Sequence, residues 1–172
     1  MTRRSSLYDT PDSFGWISIA LHWTTAIAII VLWLVGKSIA LQPADEIDPR
    51  RSLHIILGLV AWLPLAGRVV WRLMVVHPRA AGQTRLVHAL AQVAHYLILA
   101  ALSVMIISGP LMAWAMSSEN PALATVADIA LAFHSTAAVV LFALVTLHIL
   151  AALKHLMFHE DETIVRIFLP RR

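Results

Sequence analysis

Four apolar segments constrain this chain more than any other feature, because each is long enough to cross a lipid bilayer. They occupy roughly residues 16–36, 52–72, 90–114 and 126–157, with short polar connectors between them. A helix needs about 20 apolar residues to span the hydrocarbon. Hydrophobic residues make up 59% of the chain and charged residues 13%, far from the balance of a soluble domain. The sequence therefore predicts an all-α fold, an integral membrane four-helix bundle in contact with lipid.

The Lys and Arg residues are distributed unevenly between the two ends of this predicted bundle. Four spans place both termini on one side of the membrane, and ten of the 13 basic residues lie at that end. The other three, Lys37, Arg50 and Arg51, lie at the opposite end. Because positive charge is retained on the inner side, both termini are predicted to be cytoplasmic. Topology explains the basic balance, so no nucleic-acid partner is expected.

Nine histidines and no cysteine set the chemistry that the interior can support. The absence of cysteine excludes disulfides, iron–sulfur clusters, thiolate-ligated haem and covalently attached c-type haem. Only histidine-based or carboxylate-based sites are left. An ionisable residue inside a membrane span suggests function, the alternative being a core histidine that is hydrogen-bonded to a neighbour.

Four of the histidines can be matched by their depth in the membrane. His134 and His148 leave one face of the fourth span at two depths, because 14 residues of helix advance about 21 Å in roughly four turns. His22 lies about one and a half turns into the first span, on the side that His148 approaches. His54 begins the second span on the side of His134. The predicted pairs are His22 with His148 and His54 with His134.

Facing imidazoles at one depth are the way in which four-helix bundles hold haem. A structural zinc site usually has four ligands and often sulfur, whereas these histidines come in twos. The pattern predicts two b haems, with neutral imidazoles on both axial positions and no open position for oxygen, so that the iron carries single electrons. A non-redox metal or proton transporter with histidines along a polar path is an alternative from a different class.

His95 on the third span rivals His148, since the two histidines lie at similar depth. His148 is favoured because only the fourth span supplies a second histidine on the same face. His88 is expected at the membrane interface, and His77 and His159 are expected in solvent.

Arginines flank both predicted sites. Arg68 and Arg72, four residues apart on the second span, could pair with haem propionates or could anchor the helix end at the interface. Arg51, which with Arg50 precedes His54, poses the same choice at the other site.

Several further residues lie near the predicted interfaces. Lys154 and His155 could contact a quinone carbonyl or deliver its protons, the alternative being an ordinary interfacial role. Trp16, Trp71 and Trp114 are interpreted as belt residues at the two membrane surfaces.

Several different short motifs are spread along nearly the whole chain at specific spacings. They are Ile19-Ala20-Leu21-His22-Trp23, Leu53-His54, Gly58, Arg68, Arg72, His95, Gly109, His134, His148, His155, Asp161-Glu162-Thr163-Ile164-Val165-Arg166 and Pro170-Arg171-Arg172. In this combination the chain resembles the bacterial cytochrome b561 family, with which the cytochrome b subunits of hydrogenases and formate dehydrogenases belong. The resemblance implies a multi-pass protein of the bacterial inner membrane with two b haems on the same histidine pairs. It also implies exchange of electrons with the quinone pool.

The resemblance leaves the reaction open between two activities. Some family members act as superoxide oxidases, which pass electrons from superoxide to ubiquinone, and others anchor a partner dehydrogenase. The outer connector between Lys37 and Arg51 holds three positive and three negative charges, so no net field for steering superoxide is evident. Short loops favour a free-standing protein. Members often carry a tyrosine four residues beyond the third-span histidine, where this chain has Leu99, and Tyr96 is directly beside His95 instead.

Overall fold

The computed structural model describes residues 6–10, 13–39, 41, 43, 47–75, 85–158 and 167–168, with the backbone alone for residues 47, 155 and 158. Its four α-helices are α1 (Trp16–Ile39), α2 (Ile47–Met74), α3 (Arg85–Met116) and α4 (Ala122–Phe158). All four are long and apolar enough to cross a membrane, and the described residues contain no strand. The predicted all-α, four-span fold is confirmed.

The helices extend beyond the apolar runs from which the spans were predicted. α2 begins at Ile47 instead of residue 52, and α3 begins at Arg85 instead of residue 90. The apolar run measures only the hydrocarbon crossing, whereas backbone hydrogen bonding continues through the polar interface. In lipid a helix satisfies every backbone polar group internally, which is why these Leu-, Ala- and Val-rich runs become helices.

Consecutive helices pack against one another in an antiparallel arrangement, as their short connectors require. We call one end of the bundle the terminal end, where α1 and α3 begin and α2 and α4 finish. The opposite end, with the connectors from α1 to α2 and from α3 to α4, is the loop end. Large apolar side chains cover the outer faces, as a lipid-facing surface requires. The cytoplasmic location of the terminal end stays a prediction.

An apolar layer fills the middle of the bundle and separates its two ends. Leu65, Ala101, Leu102 and Leu141 form the buried centre of this layer, and side chains of α1 pack against it. Leu141 lies seven residues from both histidines of the fourth helix, so the layer is midway between the two depths. The polar interior is therefore divided into two separate regions.

α3 continues through Pro110, and the protein compensates for the lost backbone hydrogen bond with a side chain. Proline has no N–H, so the carbonyl of Ile106, four residues earlier, has no helical donor. The indole Nε1 of Trp62 on α2 donates to that carbonyl at 2.9 Å. An unsatisfied carbonyl in lipid is costly, and this bond also joins α2 to α3.

Replacing Trp62 by phenylalanine is expected to lower the unfolding free energy by about 1 kcal/mol, because the Ile106 carbonyl would lose its donor. Thermal unfolding in detergent measures the effect. Trp114→Phe is the matched control, since Trp114 is exposed near the end of α3 and its indole makes no hydrogen bond with the described residues. Equal melting temperatures for the two variants would show that the bond contributes nothing.

Candidate haem site

At the loop end, one imidazole from α2 faces one from α4. The ring centroids of His54 and His134 are 6.2 Å apart, and the ring planes are perpendicular. Both residues are half-buried. The structure thus brings together the pair that depth matching proposed for this end.

Two glycines allow these rings to lie directly against the neighbouring helices. A Cβ atom at Gly36 on α1 would be 3.1 Å from Cε1 of His54, and a Cβ at Gly109 on α3 would be 3.1 Å from Cε1 of His134. Those distances are tighter than ordinary van der Waals contact. We call the space beside each of these glycines a glycine cradle. Any residue larger than glycine at position 36 or 109 would narrow the cradle and press on the imidazole in it.

The two loop-end imidazoles differ in their hydrogen bonding. Nδ1 of His134 is 3.2 Å from the hydroxyl oxygen of Ser108 on α3. Within the described part of the chain, Nδ1 of His54 is buried without a hydrogen-bond partner, although the backbone carbonyl of Leu32 lies near that ring. A buried ring nitrogen left without a partner suggests that a further group completes the site.

At the terminal end, three imidazoles cluster where α1, α3 and α4 approach one another. The ring centroids of His22 and His148 are 6.5 Å apart, and those of His95 and His148 are 5.0 Å apart. Nδ1 of His95 lies 2.6 Å from the carbonyl of Ala91. A carbonyl only accepts, so Nδ1 of His95 donates and its Nε2 keeps a lone pair.

Two arginines of α2 lie beside this cluster. Arg68 is in electrostatic range of His22 and His148, and Arg72 is in range of His95. Both arginines are half-buried. Arg68 also points its Nη1 at the backbone carbonyl of Ser18, at 3.5 Å. The two arginines therefore lie where they could pair with an anionic group beside the three imidazoles.

The segment before α1 is tied to the terminal end through one carboxylate. Asp9 accepts from the backbone N–H of Gly15 at 2.7 Å and from the hydroxyl of Ser18 at 2.8 Å, which caps the start of α1. The indole of Trp71 donates to the same Ser18 hydroxyl at 2.7 Å, and Tyr8 stacks on Trp71 at 5.9 Å. Trp71 therefore directs its indole nitrogen to the start of α1, and its role as a belt residue stays a prediction.

The remaining predicted residues lie outside both clusters or outside the described residues. Arg51 forms an ion pair with Asp48 at 2.9 Å, and both side chains are exposed. Lys154 is exposed, and His88 is half-buried near the start of α3. The side chain of His155, together with His77, His159 and the motifs after residue 158, falls outside the described residues.

The residues present fit a haem better than a compact metal site. Within the described chain, no three His, Asp or Glu side chains converge to hold a single ion. Imidazoles instead face each other at both ends, as one pair at the loop end and as a cluster of three at the terminal end, and glycine cradles lie behind the two rings of the loop-end pair. An imidazole nitrogen lies about 2 Å from the metal that it binds, so two rings on opposite sides of one ion have centroids about 6 Å apart.

A four-helix membrane bundle with facing imidazoles in its interior is the architecture of a membrane cytochrome. The chain belongs to the prokaryotic cytochrome b561 family, which residues 13–170 match. It is also 29% identical over 180 residues to cytochrome b561 homolog 2 of Escherichia coli (strain K12), with 94% of each chain covered. The protein is accordingly a multi-pass bacterial membrane protein of an electron-transfer family that binds haem b.

Sequence reasoning missed the residues that shape the site around the imidazoles. Ser108, Gly36 and the Asp9–Ser18–Trp71 network were not singled out, and Gly109 was noted only as part of a family motif. A signal was present, because Gly36 and Gly109 lie at the depth of a histidine on another span. Glycine at such a depth permits close approach, a role that hydropathy does not reveal.

Proposed function

We propose that this protein is a di-haem b cytochrome that carries single electrons between the two faces of the bacterial inner membrane. One observation carries the proposal. The two imidazole pairs have centroid separations of 6.2 and 6.5 Å, close to the value of about 6 Å for two rings on opposite sides of one metal ion. The pairs are about 21 Å apart along α4, one in each half of the bundle.

The same distance argument favours His22 over His95 as the partner of His148 at the terminal end. His95 and His148 are 5.0 Å apart, which is too close for a metal ion between the two rings, whereas His22 and His148 have the required separation. His22 and His148 would hold one haem, and His54 and His134 would hold the other. His95 would then contact the haem edge or a quinone.

Haem b supplies one-electron exchange between ferric and ferrous iron. The protein's own residues position that chemistry and control its surroundings. His22, His148, His54 and His134 would hold the haem groups through their ring nitrogens, and the apolar layer around Leu102 would keep water from the interior between the two ends. Arg68 and Arg72 would neutralise carboxylates at the terminal end, in two-point geometry.

The first test is the haem content of the purified protein. A reduced-minus-oxidised spectrum should show a b-type α-band, and the pyridine hemochrome should give about two haems per chain, as expected for two ligand pairs in one bundle core. One haem per chain, or none, would overturn the di-haem proposal. A colourless protein that does not respond to dithionite would support the non-redox transporter instead.

Replacing Gly109 by alanine is expected to weaken haem retention at the loop end by about tenfold. The new Cβ would be 3.1 Å from Cε1 of His134, so the ring would have to shift. Gly58→Ala is the matched control, because its Cβ would meet only Leu32 Cδ2, at 4.0 Å. Haem content after detergent washing measures the effect. Equal retention in the two variants would mean that the cradle has no role.

Ubiquinone is the proposed exchange partner, and superoxide is one candidate donor. In that reaction two superoxide anions each lose one electron to become oxygen, and one ubiquinone gains both electrons with two protons. Exposed Lys37 and Arg50 are cations at the loop end, where Arg51 is paired with Asp48. Haem reduction by enzymatically generated superoxide, and its suppression by superoxide dismutase, would support this donor.

The alternative within the same family is an anchor subunit that receives electrons from a partner dehydrogenase. A subunit of that kind would show no haem reduction that superoxide dismutase can suppress. It would also co-purify from its native membrane with a soluble redox protein. The short connectors between the helices offer little surface for such a partner, which supports the free-standing protein.

A further inference from the structure

Ser108 has a single hydroxyl proton, and its position determines the tautomer of His134. The Ser108 hydroxyl is 2.6 Å from the carbonyl of Val104, one helical turn earlier. A carbonyl oxygen can only accept, so the hydroxyl proton lies in that short bond. The 3.2 Å contact between the Ser108 oxygen and Nδ1 of His134 must then be donated by the imidazole. His134 is thereby held with its proton on Nδ1 and a lone pair on Nε2.

The neighbouring glycine allows this hydrogen bond to form. Gly109 follows Ser108 directly, and its missing Cβ leaves room for Cε1 and Nδ1 of the same imidazole. Ser108 is buried, so water does not compete for its oxygen. Ser108 and Gly109 together therefore provide both the acceptor and the clearance for one ring.

The facing imidazole has no side-chain acceptor of this kind on its Nδ1 among the residues that the structure describes. Within the described residues, Nδ1 of His54 is buried without a hydrogen-bond partner, whereas Nδ1 of His134 is bonded to a side chain. A hydrogen bond accepted from Nδ1–H raises the electron-donating strength of Nε2. The two rings of the loop-end pair are thus chemically unequal.

We propose that Ser108 is a positioning residue for the loop-end haem, acting through His134 by fixing its tautomer and strengthening its Nε2 as a donor. The proposal rests on the proposed function, in which His134 is an axial ligand. A stronger imidazole donor stabilises ferric over ferrous iron. Ser108 therefore lowers the reduction potential of the loop-end haem and leaves that of the terminal-end haem unchanged.

The test is a redox titration of the holoprotein carrying Ser108→Ala. The reduction potential of one of the two redox waves is expected to rise by about 59 mV. For a one-electron couple this shift corresponds to about a tenfold change in the ferrous-to-ferric ratio. The other wave should not move. Ser108→Thr keeps the hydroxyl and should restore the wild-type potential. Ser108→Cys, a weak acceptor of similar size, should move the same wave in the same direction as alanine and guards against misfolding of the alanine variant.

Ser103→Ala is the matched control. Ser103 also lies on α3 and donates to the carbonyl of Leu99, four residues earlier, at 2.8 Å, but it makes no hydrogen bond to a histidine among the described residues. The control should leave both waves in place. If the wild type shows two waves and neither moves in the alanine or cysteine variant, the role of Ser108 is refuted but the proposed function is not. A wild-type protein without two haem waves would refute the proposed function as well.

Discussion

Replacing His148 by alanine is expected to lower the haem content from about two per chain to about one, because an imidazole-ligated haem needs both rings of its pair. His22→Ala should have the same effect. His95→Ala should keep both haems, since its ring is 5.0 Å from that of His148, too near for a metal ion between them. Pyridine hemochrome assays on the three purified variants provide the measurement.

His88→Ala is the control for this series, because His88 is half-buried near the start of α3 and belongs to neither pair. It should bind as much haem as the wild type. Loss of one haem from His95→Ala together with full content in His22→Ala would transfer the ligand role to His95. Nε2 of His95 carries the lone pair that such a role needs, so the experiment is a genuine choice between two histidines.

Replacing His134 by alanine is expected to remove the other haem and to stop electron transfer across the membrane. The terminal-end haem should remain with its own potential, because the apolar layer around Leu65, Leu102 and Leu141 separates the two ends. His54→Ala should behave in the same way. Redox titration should show a single wave, and reduction of ferricyanide trapped in proteoliposomes should cease.

The paired variants also test whether the two haems are independent. If His134→Ala and His148→Ala each leave one wave at a different potential, the two sites are separate, as their spacing of about 21 Å along α4 implies. A variant that loses both haems at once would contradict this independence. It would instead indicate that binding of one haem depends on the presence of the other.

Hydrophobic length and helical periodicity made much of this protein predictable. A chain in lipid must form helices of about 20 apolar residues, so the four spans could be counted from the sequence. The 14-residue interval between His134 and His148 places both on one helix face, whatever surrounds that helix. Depth in the membrane then matched His22 and His54 to them, and the structure brings these same residues together.

The surroundings of each ring depend on how neighbouring helices are rotated about their axes and on their lateral separation. No local pattern encodes those quantities, because they result from packing all four helices at once. The packing of the four helices determined three sets of contacts: those of His134 with Ser108 and Gly109, of Trp62 with the Ile106 carbonyl, and of Trp71 with Ser18. The sequence by itself determined the number of helices and the depth of each imidazole, and the tertiary structure alone decided what each imidazole touches.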